Sequence, residues 1–103
     1  MRSMDKPNKD NTADDLNAEI RALRKAIDEI DEKILDLINE RLLLAKRIGR
    51  FKKQCGTQVT DSRREKEIMR RLLEKNNGPL RDDGLRNIFS AIISEGRNVQ
   101  RTS

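Results

Sequence analysis

LNAEIRALRKAIDEIDEKILDLINERLLLAKRIGRFKKQ, residues 16–54, is the stretch on which the fold turns. Within it Leu16, Ile20, Leu23, Ile27, Ile30, Ile34, Leu37, Arg41, Leu44, Ile48 and Phe51 follow one another at steps alternating four and three. That spacing is a heptad seam, the apolar stripe by which a long helix packs against other helices. Arg41 alone breaks it. A guanidinium in an apolar seam is costly unless an anion pairs with it, and the anion is either a carboxylate of the protein or one brought by a ligand. The stretch by itself leaves both open.

The same stretch contains no Pro, and its only Gly is Gly49, so one helix is predicted up to the breaker Gln54-Cys55-Gly56-Thr57. About 39 residues rising 1.5 Å each make a helix near 58 Å long, whereas a compact domain of this size has a radius of gyration of only about 13 Å. The mismatch predicts a partner chain, with two such helices sharing their seams in an antiparallel or crossed dimer. Upstream, residues 1–15 are polar, contain Pro7 and show no periodicity. They read as a disordered leader or an expression remnant, with Asp14 or Asp15 capping the helix. Residues 16–103 then form one helical domain.

Downstream, Thr57 to Thr60 read as an extended link, and Asp61-Ser62-Arg63-Arg64-Glu65 as a helix start. There, either Asp61 is the cap or Ser62 forms a capping box with Glu65. Ile68, Met69, Leu72 and Leu73 give this second helix an apolar side, and Asn76-Asn77-Gly78-Pro79 stops it, with glycine as the terminator. A third helix, predicted to begin around Arg81 to Asp83, carries Leu85, Ile88, Phe89, Ile92, Ile93 and Val99. Two residues on its inner side are out of place. Gly96 costs a helix interior about 1 kcal/mol against alanine, and Gln100 puts an amide at the end of the row Phe89, Ile93, Gly96.

Composition agrees with an all-α chain of one long and two shorter helices. Charged residues reach 40% against 34% hydrophobic, with no Trp or Tyr and two Phe, which suits helices with narrow apolar stripes better than a sheet. The net charge of +5 would suit nucleic acid, but Lys and Arg are interleaved with Asp and Glu, the pattern of a solvated, salt-bridged surface. Neither nucleic acid nor membrane is expected as a partner: no apolar run approaches the roughly 20 residues of a bilayer span, and without a secretory signal the expected location is the cytoplasm. A single cysteine, Cys55, and no histidine exclude an intrachain disulfide, the usual zinc sites, and a His base or Cys–His nucleophile. Any chemistry here must use charge and hydrogen bonds, without metal or cofactor.

Helical angles group the polar residues. Lys52 follows Arg41 by eleven positions, which turns it to within roughly 20° of the same direction, about 16 Å along the axis, so two long cationic side chains can converge on one small anion. Arg24 precedes Arg41 by seventeen, about 26 Å away and roughly 100° around. It cannot serve the same site within one chain but can reach a partner's site in a crossed dimer. Asp61, Arg64 and Glu65 share one face, as do Gly96 and Gln100. Each has an ordinary reading too: surface charge for Arg24 and Lys52, capping for Asp61 and Glu65, end fraying for Gln100.

Taken together these residues resemble the all-α, AroQ-class chorismate mutase family. The resemblance runs from Leu16 to Gln100. It rests on Leu23-Arg24, Ile27-Asp28-Glu29-Ile30-Asp31, Asn39-Glu40-Arg41, Ile48-Gly49-Arg50-Phe51-Lys52, Asp61-Ser62-Arg63-Arg64-Glu65, and Ile88-Phe89 through Ile92-Ile93 to Gln100. It implies an intertwined homodimer of three-helix chains that converts chorismate to prephenate in aromatic amino-acid biosynthesis, a Claisen step with no proton transfer. It further implies that Arg41 and the partner copy's Arg24 grip the two substrate carboxylates, and that Lys52 and Gln100 donate to the ether oxygen. Glu65, with Asp61 beside it, would hold the ring hydroxyl, and Arg64 would support the anionic site. At the position of Gly96 the family often has a small hydroxyl residue that touches a carboxylate, a contact glycine lacks. Two alternatives stand beside this expectation: an isochorismate–pyruvate lyase of the same fold, and a non-enzymatic basic helical dimer.

Overall fold

The computed structural model describes residues 9–102, which form three helices: α1 (Lys9–Cys55), α2 (Ser62–Lys75) and α3 (Asp82–Arg101). Among the described residues there is no strand, so the all-α expectation holds. The start of α1 differs from the sequence reading. The helix begins at Lys9 and runs through Asp14 and Asp15, which lie inside it and do not cap it. Of the expected leader, residues 1–8 lie outside the described residues.

The chain divides into two compact units, with the boundary inside α1 between Asp36 and Leu37. In the first unit the seam residues Leu16, Ile20, Leu23, Ile27, Ile30 and Ile34 are all exposed, Leu23 at 64%. The second unit contains the end of α1 with α2 and α3, and its core is Ala45, Ile68, Leu85 and Ile93, with Leu85 only 3% exposed. Here α1 turns inward a stripe other than the seam: Ala45 and Gly49 are buried, while Ile38, Leu42 and Lys52 are half-buried. Leu37, Leu44, Ile48 and Phe51 remain exposed. Arg41, also half-buried, lies where the two stripes meet.

Gly49 explains how closely α1 and α3 approach. A Cβ at this position would lie 2.8 Å from the Gln100 Cα and 3.0 Å from its carbonyl oxygen. Backbone meets backbone there, and glycine is required by the contact rather than by its own dihedrals. The end of α1 is a Schellman turn: the Gly56 N–H donates to the Lys53 carbonyl at 3.3 Å, the Thr57 N–H to the Lys52 carbonyl at 2.8 Å, and Gly56 is left-handed with φ 70°.

Both helix-start readings for α2 are resolved in favour of Asp61, whose Oδ1 accepts from the Arg64 N–H at 3.0 Å. The helix stops where expected, at the start of Asn76-Asn77-Gly78-Pro79, but with Asn76 and not Gly78 as the capping residue. The Asn76 N–H donates to the Leu72 carbonyl, its side-chain amide donates to the Leu80 carbonyl at 2.7 Å, and its Oδ1 accepts from the Gly78 N–H at 3.2 Å. The asparagine amide thus performs the turn that glycine was expected to make. In α3, acidic Asp82 and Asp83 occupy the first turn, where the helix dipole favours them, and Ile88 is exposed while Ile93 is buried.

Candidate active site

A cleft of about 350 Å³ opens in the second unit, within the range of small-molecule sites. Its α1 wall is Arg41, Leu44, Ala45, Ile48 and Lys52; α2 and its cap supply Asp61, Arg64, Glu65 and Ile68; α3 supplies Ile93, Gly96, Arg97 and Gln100; and Val59 closes the link side. Of the residues singled out from sequence, the structure therefore brings Arg41, Lys52, Asp61, Arg64, Glu65, Gly96 and Gln100 to one hollow. Arg24 belongs to the first unit, where it is exposed.

Arg41 has neither a hydrogen bond nor an ion pair among the described residues. Burial, and then the charge of Arg64, lower its pKa below the ordinary arginine value. An arginine nevertheless stays protonated, so the cleft holds a partly desolvated cation without a counter-ion. Gly96 lies alongside it: a Cβ there would be 3.5 Å from Arg41 Nη1 and 3.9 Å from the Ala45 Cβ. These are ordinary contact distances, so a Cβ would fit beside the guanidinium and glycine is not sterically required.

Lys52 and Gln100 form one unit. The ammonium donates to the Val59 carbonyl at 2.9 Å and to Gln100 Oε1 at 3.2 Å. An ammonium can only donate, which fixes the amide with its oxygen toward Lys52 and leaves the NH2 free to donate elsewhere. Each group orients the other, and the Gly49 contact sets where the backbone of Gln100 stands.

The α2 side divides its charges. Asp61 is committed to the cap, which fixes the first turn that carries Arg64 and Glu65. Arg64 donates to Glu67 on its own helix, a solvent-exposed pair worth little to stability. Glu65 Oε2 accepts from Arg97 Nη1 at 2.7 Å, and the two side chains are only 26% and 28% exposed. Both carboxylates of the cleft thus already have a partner, and neither pairs with Arg41.

Arg97 was missed in the sequence. The signal that could have found it is the one that marked Arg41: the row Ile93, Arg97, Gln100 steps by four and three and places a guanidinium on the inner side of a helix. Val59 was missed for a different reason, since it acts through its backbone carbonyl, which side-chain patterns do not report. Among the described residues no group of three or more His, Cys, Asp or Glu is placed to hold a metal ion, and no helix is long and apolar enough to cross a membrane.

Fold and cleft together define an all-helical protein with a small-molecule hollow lined by four cations and two partnered carboxylates. Comparison with known proteins narrows this class. The family model for chorismate mutase type II matches residues 23–101, and the chain belongs to that family. It is 41% identical over 81 residues to a chorismate mutase of Methanocaldococcus jannaschii, covering 77% of this chain and 81% of that protein. It is 42% identical over 87 residues to a bifunctional chorismate mutase/prephenate dehydratase of Aquifex aeolicus, covering 81% of this chain. This chain spans only 24% of the length of that bifunctional relative. Among solved structures, a chorismate mutase from Thermus thermophilus superimposes with a TM-score of 0.79 at 34% identity, over 81% of this chain and 94% of that one.

Proposed function

We propose that this chain is a cytoplasmic chorismate mutase. It rearranges chorismate to prephenate for phenylalanine and tyrosine biosynthesis, as a homodimer and without a cofactor. The observation that carries the reading is Arg41, a half-buried guanidinium with no partner in a cleft whose own carboxylates are both engaged. A site in that state is one carboxylate short, and chorismate carries two. The guanidinium fork is well shaped to hold one of them.

The chemistry needs a flexible dianion held in its compact reactive conformer and negative charge stabilised on the ether oxygen as the C–O bond breaks. Both needs are met by orientation and preorganised charge, with no acid, base or nucleophile. Lys52 and the free NH2 of Gln100 donate to the ether oxygen, and their mutual hydrogen bond holds them in place before substrate arrives. Glu65, fixed through one oxygen by Arg97, accepts from the ring hydroxyl. Arg64 supports binding of the dianion, and turning from Glu67 to substrate would sacrifice only a weak exposed pair. Gly96 supplies no side-chain contact to the substrate carboxylate, and water takes that part.

The homodimer is supported by the exposed seam. Leu16, Ile20, Leu23, Ile27, Ile30 and Ile34 in the first unit are all exposed, and so are Leu37, Leu44, Ile48 and Phe51 in the second; large apolar side chains exposed at seam spacing are a partner surface. A second copy covering that seam brings its Arg24 to the second substrate carboxylate. The reading is tested by incubating the protein separately with chorismate and isochorismate. Prephenate from the first is the expected result, whereas pyruvate from the second with chorismate left intact would replace this reading with the lyase.

A further inference from the structure

We propose that Arg97 is a positioning residue for this reaction, holding the Glu65 carboxylate in the orientation that receives the substrate's ring hydroxyl. The inference rests on the mutase reading above. Arg97 lies on α3 and Glu65 on α2, and the bond of 2.7 Å from Nη1 to Oε2 ties the two helices across the cleft wall. Both side chains are nearly three-quarters covered, so the pair is shielded from the solvent competition that weakens surface ion pairs.

Two observations assign Arg97 this role and not that of a substrate ligand. The cleft holds two arginines on inward rows, and they are in opposite states: Arg41 has no anion, while Arg97 already has one. An incoming carboxylate therefore goes to Arg41, because binding at Arg97 would require breaking a shielded charge-assisted bond. Second, Arg97 engages Oε2 of Glu65, leaving the other oxygen, Oε1, to accept from a hydroxyl. Without Arg97 the glutamate has three rotatable bonds and shares its cleft with the unpartnered Arg41, so its carboxylate loses its fixed place. Arg97 and Glu65 also border a second hollow between α2 and α3, lined by Ser62, Lys66, Met69 and Ser90. With Ile93, the ion pair is shared by the two hollows, so removing the guanidinium leaves the Glu65 carboxylate free to turn toward either one.

The experiment is a double-mutant cycle on chorismate turnover with Arg97→Met, Glu65→Ala and the two combined. Methionine keeps the length and apolar stem of the arginine, and circular dichroism with elution volume checks the fold of each variant. Arg97→Met alone is expected to lower kcat/KM roughly tenfold, and Arg97→Lys to recover part of that loss. In the Glu65→Ala background Arg97→Met is expected to change nothing further, because the group it positions is gone. Losses that multiply in the combined variant, or full activity in Arg97→Met, would overturn the assignment while leaving the mutase reading intact. A wild-type chain that does not consume chorismate would instead remove that reading, and this inference with it.

Discussion

Arg41→Met separates the ligand reading of Arg41 from the structural one by demanding opposite signs in two measurements. In the folded chain the guanidinium is half-buried, near Arg64, and has no carboxylate, so it contributes desolvation and repulsion without a compensating pair. Methionine retains the stem and removes the charge. Stability is expected to rise, by at most about 1 kcal/mol because the guanidinium is only partly desolvated, which for a domain of this size is no more than roughly 4–8 °C in Tm. The sign with pH follows from the lowered pKa. The cost of folding with Arg41 charged is present at every pH below its folded-state pKa and is relieved only as the pH rises through it. The gain should therefore be the same across the near-neutral range. Activity should move the other way, with kcat/KM falling about 100-fold or more, the scale of loss when a charge-assisted contact that orients the substrate is removed. Thermal unfolding and a chorismate-consumption assay on the same preparations give both numbers. A less stable variant with unchanged turnover would mean that Arg41 is a structural cation, and the account of the cleft would fail.

Other outcomes follow from particular contacts. Gly49→Ala should destabilise the chain by about 1–3 kcal/mol through overpacking and displace Gln100, whereas Gly96→Ala, with only ordinary contacts to meet, should stabilise α3 by up to about 1 kcal/mol; denaturant titration of the two variants compares them directly. Asp61→Ala removes the α2 cap and should cost about 1 kcal/mol, read by the same titration, together with a loss of turnover as the turn bearing Glu65 loosens. Ile27→Glu, placed on the exposed seam of the first unit, should yield an inactive monomer by light scattering. Because the rearrangement transfers no proton and the chain has no His, kcat/KM should be flat from about pH 6 to 8 in a pH–rate profile.

Much of this was legible in the sequence because it depends on local chemistry. Gly56 had to end α1 since only a left-handed residue closes the Schellman turn, and Asp61 before an apolar-periodic run could be read as a cap. Arg41 and Gln100 were visible as polar residues on faces that should be apolar, and Lys52 through its helical angle to Arg41. What was not legible depends on small residues and on partners distant in the chain. Ala45 and Gly49 make the closest packing of α1 yet contribute almost nothing to a hydrophobic period, so the stripe that packs within the chain was hidden behind the larger, exposed seam. Asn76 replaced Gly78 as the α2 terminator through a side-chain amide that competes with glycine for the same turn. Arg97 was passed over because its inward row was judged by Gly96 and Gln100, and its partner Glu65 lies 32 residues away.

The central claim is that one anion site is built from Arg41 of one chain and Arg24 of another, and that this site rearranges chorismate. It is tested most directly by preparing Arg24→Ala and Arg41→Ala chains, each close to inactive alone, and measuring prephenate formation after the two are unfolded and refolded together. Random pairing into two-fold dimers makes half of them mixed, each with one intact site, so activity should return to roughly a quarter of the wild-type value. A refolded mixture no more active than its separate components would contradict the claim.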